Sequence, residues 1–188
     1  VLEGSSVLDV GCGEGTLWTS QFCRVGTNAI GIDIYPSNEW KKIKKLAENV
    51  EFTVCDAVFL PFQDNVFDVV FEKDTLHHMR DHEKALDEMF RVGKKIVIVE
   101  ANRYSPISYL HMTITRKHQH FSQKKLRRMI LQRTSDFFFA TREAHFYPFK
   151  SRVMLRLFLT IEDAIERMPL SEMLQNYNIA IVTKHMPS

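Results

Sequence analysis

Val7-Leu8-Asp9-Val10-Gly11-Cys12-Gly13-Glu14-Gly15 is the stretch from which the rest of the chain is read. A short apolar run ends in an acid, glycines follow at every second position, and Thr16-Leu17-Trp18 comes next. That order predicts a buried strand, a tight turn and a helix start. Glycine suits such a turn because a side chain would keep the backbone from a ligand, or because φ must be positive. The glycines alone leave several nucleotide-type ligands open. Asp9 narrows them. In a dinucleotide-binding turn a pyrophosphate lies against this backbone and the helix N-terminus. A carboxylate two residues before Gly11 faces that anion unfavourably, whereas a ligand carrying an ammonium and a sulfonium is drawn to it. The spacing also departs from G-x-G-x-x-G, whose third glycine position is taken by Thr16. S-adenosylmethionine therefore fits the stretch better than NAD.

Working outward, Ser5–Val10 reads as the first strand and Thr16–Val25 as the helix behind it, with Gly26 at C′. Helix propensity there is modest, so packing through Leu17, Trp18 and Phe22 is expected to hold it. Ala29–Ile34 is a second buried strand. Pro36 and Ser37 open a Lys-rich helix, Asn38–Glu48, which Asn49 closes. Val50–Cys55 is a third strand and Phe67–Phe71 a fourth, separated by a turn-rich stretch. Leu76–Met79 reads as a single turn of helix. Asp81 caps a helix to Val92 with Leu86, Met89 and Phe90 as its apolar stripe. Gly93 ends that helix, and Lys95–Glu100 is a fifth strand. Alternation of this kind implies right-handed βαβ units and a parallel sheet. Beyond it, Ser105–His120 is mixed, Ser122 caps a basic helix to about Arg133, and Asp136–Phe146 reads as a strand. Val153–Met168 has a helical apolar period, and Asn178–Lys184 is a final strand.

Bulk composition sets the frame. At 188 residues and 45% hydrophobic, one domain over residues 1–188 is expected. A net charge of +2 gives no strong pull toward nucleic acid or a membrane surface. The cysteines Cys12, Cys23 and Cys55 are odd in number and lack metal spacing, which fits a reduced, cytoplasmic setting. No apolar run reaches the roughly 18 residues of a membrane helix, and no signal peptide opens the chain.

Acids end three successive strands: Asp9, Asp33 and Asp56. Ligands of an open α/β sheet bind at that carboxyl edge, near the switch point. Asp33 is placed to accept both ribose hydroxyls. Asp56 suits an adenine amino group, with the Ala57 N–H meeting a ring nitrogen and Ile34 and Val58 sandwiching the ring. Glu72 ends the fourth strand, where its backbone carbonyl can meet the ligand's amino group. Gly11, Cys12, Gly13 and Gly15 supply backbone to the methionine end.

With these residues in hand, the chain resembles a class I S-adenosylmethionine-dependent methyltransferase of the small-molecule group. Val7–Gly15 matches the family's first motif and Gly31-Ile32-Asp33-Ile34 the acidic end of its second strand. Cys55-Asp56-Ala57 with Leu60-Pro61-Phe62-Gln63-Asp64-Asn65 and Phe67-Asp68-Val69-Val70 matches the next stretch. Leu76-His77-His78 and His118-Gln119-His120-Phe121-Ser122 are similar to later segments. The match is clear over about 5–134. It implies a doubly wound, Rossmann-like, mostly parallel seven-stranded sheet with the last strand antiparallel. It also implies S-adenosylmethionine as cofactor and S-adenosylhomocysteine as product. Family members usually carry one or two helices before the first strand. Here that strand starts close to Val1, so this lid is expected to be absent or trimmed.

Methyl transfer from a sulfonium needs alignment of the acceptor, exclusion of water and, for some acceptors, removal of a proton. His77 and His78 are the candidate bases, since they follow the fourth strand. No metal site is expected: His111, His118 and His120 lack companion ligands of zinc spacing. The basic stretch from Arg116 to Arg133 reads first as a solvated helix face, and Phe137–Phe139 with Phe146, Tyr147 and Phe149 as core. Tyr109, His111, His145 and Tyr147 lie in segments that face the acceptor in the family. Glu72-Lys73-Asp74-Thr75 stands where a nucleic-acid methyltransferase carries its Pro-Pro motif, so nucleic acid is disfavoured and a small or lipid-like acceptor favoured. Two alternatives stay open, a non-catalytic binding module of the same fold and an NAD-binding oxidoreductase domain. Oligomeric state is not readable.

Overall fold

Strand follows crossover follows strand through the first hundred residues, and the backbone obeys. The computed structural model describes residues 3–103, 105, 121–142, 160 and 177–184. Five parallel strands come first: β1 (Ser6–Val10), β2 (Asn28–Asp33), β3 (Val50–Val54), β4 (Phe67–Lys73) and β5 (Gly93–Ala101). Two more, β6 (Phe138–Arg142) and β7 (Tyr177–Thr183), complete a sheet of order β3-β2-β1-β4-β5-β7-β6. β7 runs antiparallel to both β5 and β6. From β1 the chain goes one way to β2 and β3, then returns to the other side of β1 for β4. The switch point therefore lies between β1 and β4, with Val10 paired to both Ile32 and Glu72.

The helices are α1 (Trp18–Arg24), α2 (Asn38–Leu46), α3 (His82–Val92) and α4 (Gln123–Leu131), with a 3-10 turn at Leu76–His78. Three of them start where a side-chain acceptor stands ready. Ser37, Asp81 and Ser122 accept from the N–H groups of Glu39, Lys84 and Lys125 at 3.2, 3.0 and 3.2 Å. α3 buries Ala85, Leu86, Met89 and Val92, a stripe of helical period, on Leu8, Val10, Val70, Ile96 and Ile98 of the sheet. Leu126, Met129 and Ile130 of α4 join the same core. The opposite sheet face carries Val7, Val69 and Phe71, then Ala29 and Val50, which meet Cys23 of α1.

α1 departs from expectation. It begins at Trp18 rather than Thr16, and Leu17 and Trp18 are 60% and 42% exposed. Its buried residues are Thr19 and Cys23. The cause is Asp9, whose carboxylate takes the Thr19 hydroxyl and so sets which face of the helix meets the strands. Trp18 still lies against Phe71, with ring centroids 5.4 Å apart. Elsewhere α2 stops at Leu46, and Asn49 instead donates to the carbonyls of Cys23 and Thr27 at 3.0 and 2.7 Å.

The helix-free crossover 56–66 is held by one side chain. The Arg91 guanidinium donates to the carbonyls of Leu60 and Phe62 and to the carboxylates of Asp64 and Glu88, all within 2.8 Å. α3 then runs into β5 with no loop, because strand pairing begins at Gly93 itself, opposite Phe67. A Cβ at Gly93 would stand 2.6 Å from Val70, so the residue serves close helix–strand approach, two residues before the expected strand start. β6 starts at Phe138 rather than Asp136. The expected helix over 153–168, and His111, His118, His120, Tyr109, His145 and Tyr147, lie outside the described residues.

Candidate functional site

Among the described residues, the glycine turn, Asp9, Asp33, Asp56, Glu72, His77 and His78 lie at or next to the carboxyl ends of β1 to β4, beside the switch point. Gly11 and Gly15 have φ of +71° and +72°, the left-handed region that only glycine enters freely. The turn rests on an aromatic floor. Phe52 lies under Gly15 and Gly31, close enough that a Cβ at either would stand 2.4 or 2.7 Å from its ring. Trp40 stacks on Phe52, its ring tilted by 9°, and donates through Nε1 to the Gly13 carbonyl at 2.8 Å. On the other side of Gly13 a Cβ would meet nothing within 4 Å among the described residues, which leaves the outer face of the turn clear of them.

Asp33 ties this turn to the end of β2. Its Oδ2 accepts from the Gly13 N–H at 2.9 Å and its Oδ1 from the Tyr35 N–H at 3.0 Å. An ionised carboxylate offers about four acceptor positions, so each oxygen keeps room for a hydroxyl donor. The Cys55 N–H donates to the Asp33 carbonyl at 2.9 Å, which brings the end of β3 alongside. Asp56 follows there, exposed, with Oδ1 accepting from the Val58 N–H at 3.1 Å. Ala57 is buried, Val58 half-buried, and Ile34 is 54% exposed. An open apolar side chain between two acids suits one face of an adenine ring. The residues present thus fit S-adenosylmethionine in donor set and in space.

Asp9 is in a different position from the open acid expected. It is 4% exposed and its Oδ2 takes the Thr19 hydroxyl at 2.5 Å. Burial pushes its carboxyl up to about 6, only partly opposed by the two Thr19 hydrogen bonds, and the charge of Asp33 adds to the rise. A carboxyl raised in the folded state favours folding fully below its unfolded value near 3.8, and loses that contribution as pH rises through about 6. Asp9→Asn keeps an acceptor for Thr19. It should therefore be more stable than the wild type at pH 8, by about 3 kcal/mol, and no more stable at pH 4. Urea unfolding at the two pH values measures the difference, and a wild type more stable at pH 8 would contradict this account of Asp9. Cys12 is half-buried beside these acids, and burial with the charges of Asp9 and Asp33 pushes its thiol far above the usual range. That suits a small filler and not a nucleophile.

Glu72 does not end its strand. β4 continues through Lys73, and the Glu72 side chain turns inward, fully buried. The two histidines part company as well. The His77 ring is 2% exposed with Nδ1 2.6 Å from Glu100 Oε2, whereas His78 is exposed and lies on it, centroids 4.0 Å apart. Burial lowers the His77 pKa. Thr75, just before them, reaches back to the Gly11 carbonyl at 3.2 Å and joins the histidine turn to the glycine turn.

Glu100 and Thr75 were not among the residues expected at the site. Glu100 had a signal, a lone acid closing the apolar run Ile96-Val97-Ile98-Val99. Thr75 had none, because its role appears only as the atoms filling the space beside Gly11. Among the described residues no His, Cys, Asp and Glu cluster could hold a metal ion, and no helix is long and apolar enough to cross a membrane.

Comparison with known proteins agrees with this geometry. Residues 2–138 match the family model described as a methyltransferase domain. The chloroplastic tocopherol O-methyltransferase of Arabidopsis thaliana is 36% identical over 101 residues, covering 50% of this chain and 29% of the relative. Norajmaline N-methyltransferase of Rauvolfia serpentina is 33% identical over 118 residues, covering 58% and 38%. The chain thus spans well under half the length of either relative. Phosphoethanolamine N-methyltransferase 2 of Haemonchus contortus, solved with S-adenosyl-L-methionine, superposes with a TM-score of 0.65 at 18% identity, over 96% of this chain and 48% of that one. The seven-stranded order with β7 antiparallel is the same fold. The chain belongs to the methyltransferase-domain family, with the class I S-adenosylmethionine-dependent architecture.

Proposed function

We propose that this chain transfers the methyl group of S-adenosylmethionine to a small-molecule or lipid-like acceptor. The observation that carries the reading is Asp33, which holds the glycine turn by Gly13 while each of its oxygens keeps acceptor capacity. In this reading Asp33 takes the ribose hydroxyls, and Asp56 and the Ala57 N–H take the adenine edge against Ile34. Gly11, Cys12, Gly13 and Gly15 give backbone to the methionine end, Asp9 sets the turn's charge from beneath, and the Glu72 carbonyl takes the amino group. The bound cofactor supplies a methyl already activated on a sulfonium. The chain's own work is then to align the acceptor, keep water out and take a proton where the acceptor carries one. His77 and His78 are the groups for that proton.

The acceptor class is supported by relatives named for tocopherol and norajmaline, both small molecules. A reduced, cytoplasmic setting goes with the reading, since Cys12, Cys23 and Cys55 are all free thiols. Calorimetric titration with S-adenosylmethionine, S-adenosylhomocysteine and NAD tests the cofactor. Binding of the first two without NAD is expected, and binding of NAD alone would sink the reading. Incubating the protein and labelled cofactor with fractionated cell extract then reveals which class of molecule takes the label.

A further inference from the structure

Two carboxyl groups lie side by side beneath the histidine turn, and the atoms around them differ. Glu72, one residue before the end of β4, and Glu100, one before the end of β5, are both fully buried. Glu72 Oε1 accepts from the backbone N–H groups of Thr75 and Leu76 at 2.7 and 2.8 Å. Its Oε2 has no partner in hydrogen-bonding geometry among the described residues, and the Glu100 carboxyl is its polar neighbour. Glu100 instead is engaged at both oxygens. Oε1 accepts from the His77 backbone N–H at 3.1 Å, and Oε2 lies 2.6 Å from His77 Nδ1.

Two adjacent buried carboxyls do not both ionise, because like charges repel and burial penalises each of them. The negative charge of Asp74 deepens that penalty for Glu100. One proton must therefore stay on the pair, and the contacts say where. A buried oxygen with no donor is costly as a bare anion and natural as a hydroxyl. A carboxyl that takes a backbone N–H on one oxygen, with a ring nitrogen able to donate beside the other, is the better placed of the two to be the anion.

We propose that Glu72 holds the pair's proton on Oε2, leaving Glu100 a carboxylate that positions His77 as its Nδ1–H tautomer with Nε2 as the accepting nitrogen. Glu100 is thus a positioning residue. A proton arriving at Nε2 would make an imidazolium paired with Glu100, and the ring so fixed is the surface on which His78 stacks. Burial lowers His77, which agrees with a neutral ring near pH 7. Burial also raises both carboxyls, Glu100 to about 8, but the Glu72–Glu100 contact pulls Glu100 down and pushes Glu72 up, the direction expected when Glu72 carries the proton. The inference rests on the reading above, in which the histidine turn handles the acceptor's proton.

Long-range proton–nitrogen correlation spectra of histidine-labelled protein at pH 7 test it without an acceptor. In the wild type His77 should be one neutral tautomer, protonated at Nδ1. Glu72→Gln should keep it, since a neutral amide replaces a neutral acid. Glu100→Gln should lose the preference, because the amide offers one acceptor where the carboxylate offered two. A wild-type ring protonated at Nε2 would overturn the proposal, as would a Glu72→Gln spectrum that changes like that of Glu100→Gln. The wild-type spectrum alone decides the tautomer if either variant fails to fold. Titration with S-adenosylhomocysteine on the same samples separates the two levels. Binding without the Nδ1–H form overturns the positioning role alone. An Nδ1–H form without binding overturns the methyl-transfer reading alone.

Discussion

Asp33→Ala should weaken S-adenosylhomocysteine binding by about 100-fold or more, the largest effect expected of any single change to the cradle. Two losses combine. Hydrogen bonds from ligand hydroxyls to a charged acceptor contribute about 1.5–3 kcal/mol each, and every factor of ten is about 1.4 kcal/mol. Asp33 also anchors the turn through the Gly13 N–H, so its removal loosens the glycine turn that we propose meets the methionine end. Asp33→Asn separates the contributions. It keeps one carbonyl acceptor and should lose only about tenfold. The two affinities are read by calorimetry. Equal binding by wild type and Asp33→Ala would remove the ribose role altogether.

Gly11→Ala is expected to damage both stability and binding. At φ +71° a Cβ is strained on any residue, and here it would stand 2.1 Å from Thr75 Cγ2 and 2.5 Å from its Oγ1. Left-handed backbone costs about 1–2 kcal/mol for a non-glycine residue, and the collision adds about 1–3 kcal/mol of overpacking. Gly13→Ala is the internal control: φ is +55° but nothing stands within 4 Å, so only the backbone part applies. In urea unfolding Gly11→Ala should lose about 2–5 kcal/mol, clearly more than Gly13→Ala. Pairing Gly11→Ala with Thr75→Gly should restore the collision part and leave the backbone part. A double-mutant cycle showing no coupling between positions 11 and 75 would rule the contact out.

The sequence-level reading went furthest where a local rule and a tertiary demand coincide. Val7–Gly15 reads as strand and turn because the apolar run, the acid and the glycines all answer to one geometry. Ser37, Asp81 and Ser122 read as caps because their chemistry acts within three residues. Asp33 and Asp56 were legible as acids at the carboxyl edge because a strand end places them without knowledge of partners. Asp9 was visible as important but its contact was not, since nothing in the spacing says that Thr19 will turn inward while Leu17 and Trp18 stay out. Glu72 and Glu100 illustrate the same limit from farther apart. Their pairing depends on β4 lying beside β5 in one register, and their consequence depends on which oxygen finds a donor.

The sheet order carries a consequence for how the molecule is made. β6 precedes β7 in the chain yet lies outside it, and among the described residues its sheet neighbour is β7. While the chain emerges from the ribosome, β5 holds a bare edge and residues 138–142 have no strand to join until residues 177–183 follow. A nascent chain halted short of β7 thus presents an apolar, β-branched edge, Ile96-Val97-Ile98-Val99, of the kind that recruits strands from other chains. Insertion of β7 closes that edge and seats β6 in a single event. The half of the sheet beyond β5 thereby becomes an all-or-none unit of folding, while strands β1 to β4 can assemble ahead of it.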